Sequence, residues 1–331
     1  MGRAFFIASS AFLLLLTGCR NADTSSAFES ERTMFVMDTA VTIKGSKNDT
    51  EKAADVLKRL DGLFDRYNDT SDISAINSRK GTPLSDETAD LIRQSAELSE
   101  KYGNEVSIFA GDITDCWNIG SENPKVPSHT EIDSALESIA NADFSLDTMS
   151  FSDENGSIDV GSVAKGYALD RIKSELDGDS CCIVSMTSSV LMSGSKPDGE
   201  KFTAAVRDPE NGSKIIGTIR TDECFLSTSG GYERYFEADG KRYSHIFDLE
   251  TGKPSDTDLT SVTVICQIGI ESDFLSTLIY AGGTENLGEH LKNDDIAVLA
   301  VTDKHEIYHS DGMDFVPEKD SGYAVKEWID E

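Results

Sequence analysis

The segment 158–170, IDVGSVAKGYALD, places a lysine just inside a glycine-led helix start. Its pattern predicts a strand end at 158–160, a turn at Gly161 and a helix capped by Ser162. Ala168, Leu169, Ile172 and Leu176 follow at helical spacing. Backbone N–H groups at such a start attract anions. Lys165, in the first turn, is badly placed for the helix dipole and well placed for a phosphate. A solvated lysine after an ordinary turn fits the same residues. In a second stretch, ESDFLST, Asp273 and Thr277 are four apart and share a face if the segment is helical. A carboxylate and a hydroxyl are hard oxygen ligands of the kind Mg²⁺ takes beside phosphate oxygens. Ser272 and Asp273 would equally serve as a helix cap, with Thr277 packed inside. In YSHIFDLETGKP, His245 and Asp248 stand before a turn, where a histidine can be a general base or a hydrogen-bonded turn residue. STSGGYERYF, from Ser227, offers a small-residue turn that a ligand can approach closely, with Tyr232, Tyr235 and Phe236 as flanking or core aromatics.

One motif misleads. His305 and His309 frame H-E-x-x-H, a metalloprotease signature that needs a helix. An apolar run before it and Ser310-Asp311-Gly312 after it predict a strand. There the two imidazoles would stand about 13 Å apart, too far for one zinc.

These residues need elements to hold them. Residues 33–43 alternate as a strand with a kink at Asp38. A helix capped by Asn48, Asp49 or Thr50 runs to about Tyr67, with Ala54, Leu57, Leu60 and Phe64 on one face. Further helices are predicted over 85–102 and 128–140. FSLD and MSFSD read as short strands. After the lysine helix the chain turns to strands: CCIVSM, FTAAVRD, KIIGTIRT, YSHIFD and SVTVICQ. A helix over 271–281 and a closing hairpin, DIAVLAVT and HEIYHS, complete an α+β pattern rich in antiparallel sheet.

The chain carries 60 acidic against 30 basic residues, which argues against nucleic acid and against peripheral binding to anionic lipid. Any anion site must therefore be built locally. Residues 4–16 form a short apolar run after Arg3, ending in Leu16-Thr17-Gly18-Cys19. This resembles a bacterial lipoprotein signal: 1–18 would be removed, Cys19 lipidated, and 19–30 would act as a polar tether at the outer side of the cytoplasmic membrane. An ordinary secretory signal with a chance cysteine is the other reading. Cys116, Cys181, Cys182, Cys224 and Cys266 are odd in number and lack C-x-x-C spacing, so no disulfide framework or zinc site is indicated.

Taken in order, these stretches resemble the ApbE-like family, the FAD:protein FMN transferases. Met37-Asp38-Thr39 resembles an early M-G-T. RYNDTSDISAIN resembles Y-x-x-D-S-x-[IL]-S-x-[IL]-N, and IDVGSVAKGYALD resembles D-L-G-[GA]-I-A-K-G-Y-A-x-D. SKPDG with VRDP, TSGGYERYF, HIFDLETGKP and SVTVI with ESDFLST follow in family order. The resemblance implies a single large α+β domain over 31–331, built on antiparallel sheet with flanking helices. It implies cleavage of FAD at its pyrophosphate and transfer of FMN to a threonine or serine hydroxyl of an acceptor flavoprotein subunit of a membrane redox complex, with release of AMP. By similarity Met37, Tyr67, Asp159, Lys165 and the Phe247 backbone contact FAD, as does the segment Glu105, Val106 and Ser107. Mg²⁺ would be held by the Ser162 carbonyl, Asp273 and Thr277. His245, helped by Asp248, would take the proton of the incoming hydroxyl.

Two departures stand out. The family's N-x-G-G-[DN] is replaced by Ser185-Met186-Thr187-Ser188-Ser189, adding Cβ atoms where glycines allow positive φ or close ligand approach. Its A-F-D becomes Glu105-Val106-Ser107, losing one carboxylate and moving another. Alternatives from these departures are an FAD pyrophosphatase yielding FMN and AMP, and a catalytically weak FAD-binding lipoprotein. The signal and acidity alone would also fit a solute-binding lipoprotein.

Overall fold

The computed structural model describes residues 28–81, 83–178 and 180–329. Cys19, the signal segment 1–18 and most of the tether lie outside the described residues. Among those described, no helix is long and apolar enough to cross a membrane.

The first elements are β1 (Ser30–Val36), β2 (Thr39–Gly45), α1 (Lys47–Phe64), α2 (Asp72–Asn77), α3 (Asp86–Tyr102), α4 (Gly111–Trp117) and α5 (His129–Asn141). Next come β3 (Phe144–Ser145), β4 (Ser150–Phe151), α6 (Ala164–Glu175), β5 (Cys182–Met186), β6 (Ser189–Ser193), β7 (Phe202–Arg207), β8 (Ile215–Thr221) and β9 (Cys224–Ser229). Four short strands follow: β10 (Tyr235–Ala238), β11 (Lys241–Ser244), β12 (Phe247–Asp248) and β13 (Lys253–Pro254). The chain closes with β14 (Leu259–Cys266), α7 (Gly269–Gly282), α8 (Leu287–Leu291), β15 (Ala297–Thr302), β16 (Glu306–His309), β17 (Asp314–Pro317) and β18 (Ala324–Val325). The fold is α+β, as the sequence predicts.

Two compact units form. One comprises Arg59–Ala164 and Gly231–Asp256; the other comprises the described residues up to Lys58, Lys165–Gly230 and those from Thr257 onward. The second unit holds a nine-stranded sheet in the order β1-β2-β5-β6-β9-β14-β15-β16-β18, in which only the β16–β18 pair is parallel. Every residue of β5 and β6 is buried, which requires cover on both faces. Ile183, Val190, Met192 and Leu226 pack against Phe202 and Ala204 of the small β17-β8-β7 sheet. On the other face lies α7, which buries ten of its residues, Phe274 among them. Phe225 and Phe274, each 1 % exposed, contribute about 2–3 kcal/mol apiece.

In the first unit, α4 and α5 close a core of Ile113, Trp117, Ile119, Ile132 and Ala135, joined by Phe236, Tyr243 and Phe247 from the short strands. Trp117 completes it by donating its Nε1–H to the Gly252 carbonyl at 2.8 Å.

Several local expectations need correction. Residues 33–43 are not one kinked strand but the hairpin β1–β2, turned at Met37 and Asp38 with φ of 51° and 55°. Two positive φ values make a two-residue turn that normally selects glycine, and its absence hid the hairpin. Helix α1 begins at Lys47, with the Ser46 hydroxyl accepting from the Asp49 N–H, and ends at Phe64 rather than Tyr67. Residues 158–160 form no strand; Asn77 holds Ile158 and the Ile108 carbonyl holds the Asp159 N–H. The lysine helix starts at Ala164, two residues beyond the predicted Ser162 cap. YSHIFD is broken between β11 and β12, and Ser227–Ser229 belong to β9 rather than to a turn. As expected, the H-E-x-x-H segment is a strand and not a helix: His305 stands just before β16 and His309 ends it.

Candidate active site

In the second unit α6 crosses α7 at two glycines. A Cβ on Gly166 would collide with the Gly269 carbonyl and stand 2.8 Å from Asp273 Cβ, so only glycine allows this approach. The crossing brings the lysine motif to the carboxylate motif. Asp273, 4 % exposed, accepts the Gly166 N–H at Oδ2 (2.9 Å) and the Ser189 hydroxyl at Oδ1 (3.1 Å). Lys165 Nζ stands 3.9 Å from Oδ1. Asp273 is the fifth residue of α7 and does not cap it. The first N–H groups of α7, at Gly269 and Ile270, are instead taken by the Asp170 carboxylate at 2.7 Å each. Burial pushes the Asp170 carboxyl up to about 6 despite those two bonds. One turn after Asp273, Thr277 can donate its hydroxyl proton to the Asp273 carbonyl (3.3 Å), leaving oxygen lone pairs available. A carboxylate and a hydroxyl oxygen one helical turn apart are a donor set that fits Mg²⁺.

Met37 lies in the β1–β2 turn, and Thr187 in the β5–β6 turn beside it. Thr39 Oγ1 donates to Thr187 Oγ1 at 2.9 Å, and Thr187 donates to the Ala40 carbonyl at 3.2 Å. Thr187 has φ 66°, and the Ser188 N–H closes on the Met186 carbonyl at 2.8 Å, a tight three-residue turn. A β-branched residue there costs about 1–2 kcal/mol, which the two hydroxyl bonds offset. Thr187→Gly with Ser188→Gly should therefore change stability by less than about 1 kcal/mol, while opening space at this turn. On the activity that the family resemblance implies, a several-fold rise in FAD turnover is expected, read by AMP release, and a fall would show that the hydroxyl tie is needed.

The first unit gathers a different set. Arg66 lies between two carboxylates, 3.0 Å from Asp159 and 2.8 Å from Asp115. Its guanidinium also lies 5.5 Å from the Tyr67 ring centre, and Tyr67 itself is 67 % exposed. Burial works against the Asp159 carboxylate, yet Arg66, the Gly161 N–H and the Thr114 hydroxyl outweigh it and hold the carboxyl below its usual range. Asp115 moves the other way, raised by burial and by the charge of Asp159. The Asp159 N–H donates to the Ile108 carbonyl at 2.7 Å, which ties it to the Glu105-Val106-Ser107 segment. There Glu105 is exposed, Val106 is buried and Ser107 Oγ accepts the Phe109 N–H. Asn77 clamps the preceding residue from both sides, with Nδ2 on the Ile158 carbonyl and Oδ1 on the Ile158 N–H.

Arg66→Met should cost about 3 kcal/mol at neutral pH, the low end for a buried pair, because the Asp159 side chain keeps 24 % of its exposure. A depressed carboxyl contributes stability above its unfolded value of 3.8, lost as pH falls further. Urea unfolding above and below pH 3.8 should thus show acid sensitivity in the parent that the variant lacks. Equal sensitivity in both would contradict the pairing.

His245 and Asp248 also belong to this unit. The Arg234 carbonyl accepts both the His245 N–H and its ring Nδ1, each at 3.1 Å. A carbonyl can only accept, so Nδ1 carries the proton and Nε2 is the basic nitrogen. Asp248 is spent on its own turn: Oδ1 accepts from the Glu250 and Thr251 N–H groups, and Oδ2 from the Thr251 hydroxyl. The carbonyl of Arg234 thus orients the imidazole. Phe247 joins the Trp117 core, with ring centres 6.3 Å apart. Ser162 lies in the turn before α6, with the first unit; Lys165, Asp273 and Thr277 come together in the second. Arg66 and Asn77 are absent from the predicted site, since their partners lie 93 and 81 residues away.

A predominantly antiparallel sheet under α7, with a lysine and a buried carboxylate brought together where two helices cross, defines an α+β protein with a charged site on its sheet-covering helices. The ApbE family model matches residues 37–300, and the chain belongs to that family. The FAD:protein FMN transferase of Klebsiella pneumoniae is 29% identical over 283 residues, 82% of this chain and 87% of the relative. That of Escherichia coli K12 is 27% identical over 255 residues, 74% of this chain and 71% of its own. The crystal structure of the ApbE protein from Thermotoga maritima superposes with a TM-score of 0.77 at 28% identity, covering 85% of this chain and 97% of that one.

Proposed function

We propose that this chain is an FAD:protein FMN transferase. The reading rests on one observation above the others: in an ApbE-family chain, the helix crossing at Gly166 holds Lys165 against Asp273 one turn from Thr277. Lys165 would receive the pyrophosphate of FAD, offsetting its charge in an otherwise acidic chain. Mg²⁺, when bound through Asp273, Thr277 and the Ser162 carbonyl, would neutralise charge on the phosphoryl group being transferred. Met37, Tyr67, Asp159, the Phe247 backbone and residues 105–107 would position the flavin nucleotide. An acceptor threonine or serine hydroxyl attacks the phosphorus on the FMN side. Its proton passes to His245 Nε2, the P–O bond to AMP breaks, and AMP leaves with the bridging oxygen.

Incubation with FAD and Mg²⁺ alone separates the neighbouring readings. A transferase without acceptor releases AMP slowly, a pyrophosphatase accumulates FMN and AMP at multiple turnovers, and a binder retains FAD with no AMP. The first outcome supports this proposal and the last contradicts it.

The proposed location is the outer side of the cytoplasmic membrane, through a lipid on Cys19, where a flavoprotein subunit of a membrane redox complex would be the acceptor. Cys19→Ser should release the protein from membranes or leave it unprocessed, as read by fractionation. Unchanged membrane retention after normal processing would contradict the anchor.

A further inference from the structure

Three serines line the face of the sheet beneath α7, where a central strand ordinarily presents apolar side chains. Ser189 of β6 stands opposite Ser227 of β9, and Ser229 follows two residues on, so all three share a face. Ser189 and Ser227 are fully buried and Ser229 is 9 % exposed. A buried hydroxyl costs free energy unless bonded, and each of these finds its partner on α7. Ser189 donates to Asp273 Oδ1 at 3.1 Å, Ser227 shares a bond with Ser272 at 2.9 Å, and Ser229 meets Ser276 at 2.8 Å and Thr277 at 3.2 Å.

Counting protons gives these bonds a direction, since each hydroxyl has one to donate. A carboxylate only accepts, so the Ser189 proton lies on Asp273. Ser276 donates to the Asp273 carbonyl at 3.0 Å, and therefore accepts from Ser229. Ser229, its proton spent, and the Asp273 carbonyl at 3.3 Å are both acceptors for the one Thr277 proton, which stays inside the protein whichever takes it. The Thr277 lone pairs are left for another partner.

We propose that Ser189 is a positioning residue for the cation, fixing the Asp273 carboxylate, whereas Ser229 is dispensable because Thr277 keeps the Asp273 carbonyl as a second acceptor. The inference rests on the Mg²⁺ reading given under Proposed function. Outer-shell partners of this kind govern affinity by about 10–100-fold, while Ser227 meets only Ser272, which keeps the Gly269 carbonyl as a second partner at 2.8 Å.

The test is titration of the full chain with Mn²⁺ alone, without flavin, reading free Mn²⁺ by electron paramagnetic resonance. Ser189→Ala should weaken binding by about 10-fold or more. Ser189→Thr, which keeps the hydroxyl, should restore it, and Ser227→Ala and Ser229→Ala should bind as the parent does. Melting curves for the three alanine variants control for loss of fold, and the threonine variant keeps the test open should Ser189→Ala fail to fold. Parent-like affinity in Ser189→Ala, with Asp273→Ala losing Mn²⁺, would overturn this inference alone. Equal weakening by Ser227→Ala would also overturn it. Undiminished binding by Asp273→Ala would remove the cation site itself and both readings with it.

Discussion

Asp273→Ala is expected to reduce Mg²⁺-dependent FAD cleavage on the order of 10³-fold. Its carboxylate is the charged member of the proposed oxygen donor pair, and it also accepts the Gly166 N–H and Ser189 hydroxyl. Truncation leaves those two donors unpaired in a buried place, at a cost of about 1–3 kcal/mol. The protein should therefore melt lower yet still fold. Asp273→Asn separates the two effects, because the amide oxygen can still accept a bond while the charge is gone. Steady-state AMP release and a thermal melt on both variants check the prediction. Full activity in Asp273→Asn would show that the carboxylate charge is not used.

His245→Gln should lower flavin transfer by about 10²–10⁴-fold, the usual span for a general base, with FAD binding little changed. The Arg234 carbonyl can only accept, which holds Nδ1 protonated, and in the proposed reaction Nε2 takes the acceptor's proton. Glutamine can keep a donor toward that carbonyl but offers no basic nitrogen. Calorimetry with FAD and single-turnover transfer to an acceptor peptide together read the split between binding and chemistry. Loss of FAD binding in the variant would make His245 a binding residue instead. Asp248→Asn, by contrast, should act through its turn, because its oxygens are engaged with Glu250 and Thr251.

What the sequence discloses is what is contiguous. The lysine helix and ESDFLST both carry their chemistry within one or two turns, and both become helices that bring Lys165, Asp273 and Thr277 together. The long amphipathic helices and the β15–β16 hairpin are readable for the same reason: their periodicity is local. Features set by distant partners are not readable. Helix α7 begins at Gly269 without a capping side chain of its own, because Asp170, 99 residues earlier, takes its first N–H groups. Arg66 looks like any surface arginine until the fold places Asp159 against it. The β1–β2 turn lacks the glycine that announces such hairpins, and Met37 and Asp38 adopt positive φ because the seven-residue register on either side demands it. Asp248 is the reverse case. Its spacing from His245 suggests a catalytic pair, but the local turn competes for the carboxylate and wins.

The central claim is transfer of the FMN group to a protein hydroxyl, and mass spectrometry of an acceptor measures it directly. The full chain would be incubated with FAD, Mg²⁺ and a threonine-containing acceptor peptide. The account predicts a peptide heavier by one FMN less one water, attached through a phosphoester at the threonine, with one AMP released per peptide modified. FAD consumed to free FMN and AMP with the peptide mass unchanged, across acceptors that a known transferase modifies in parallel, would contradict it.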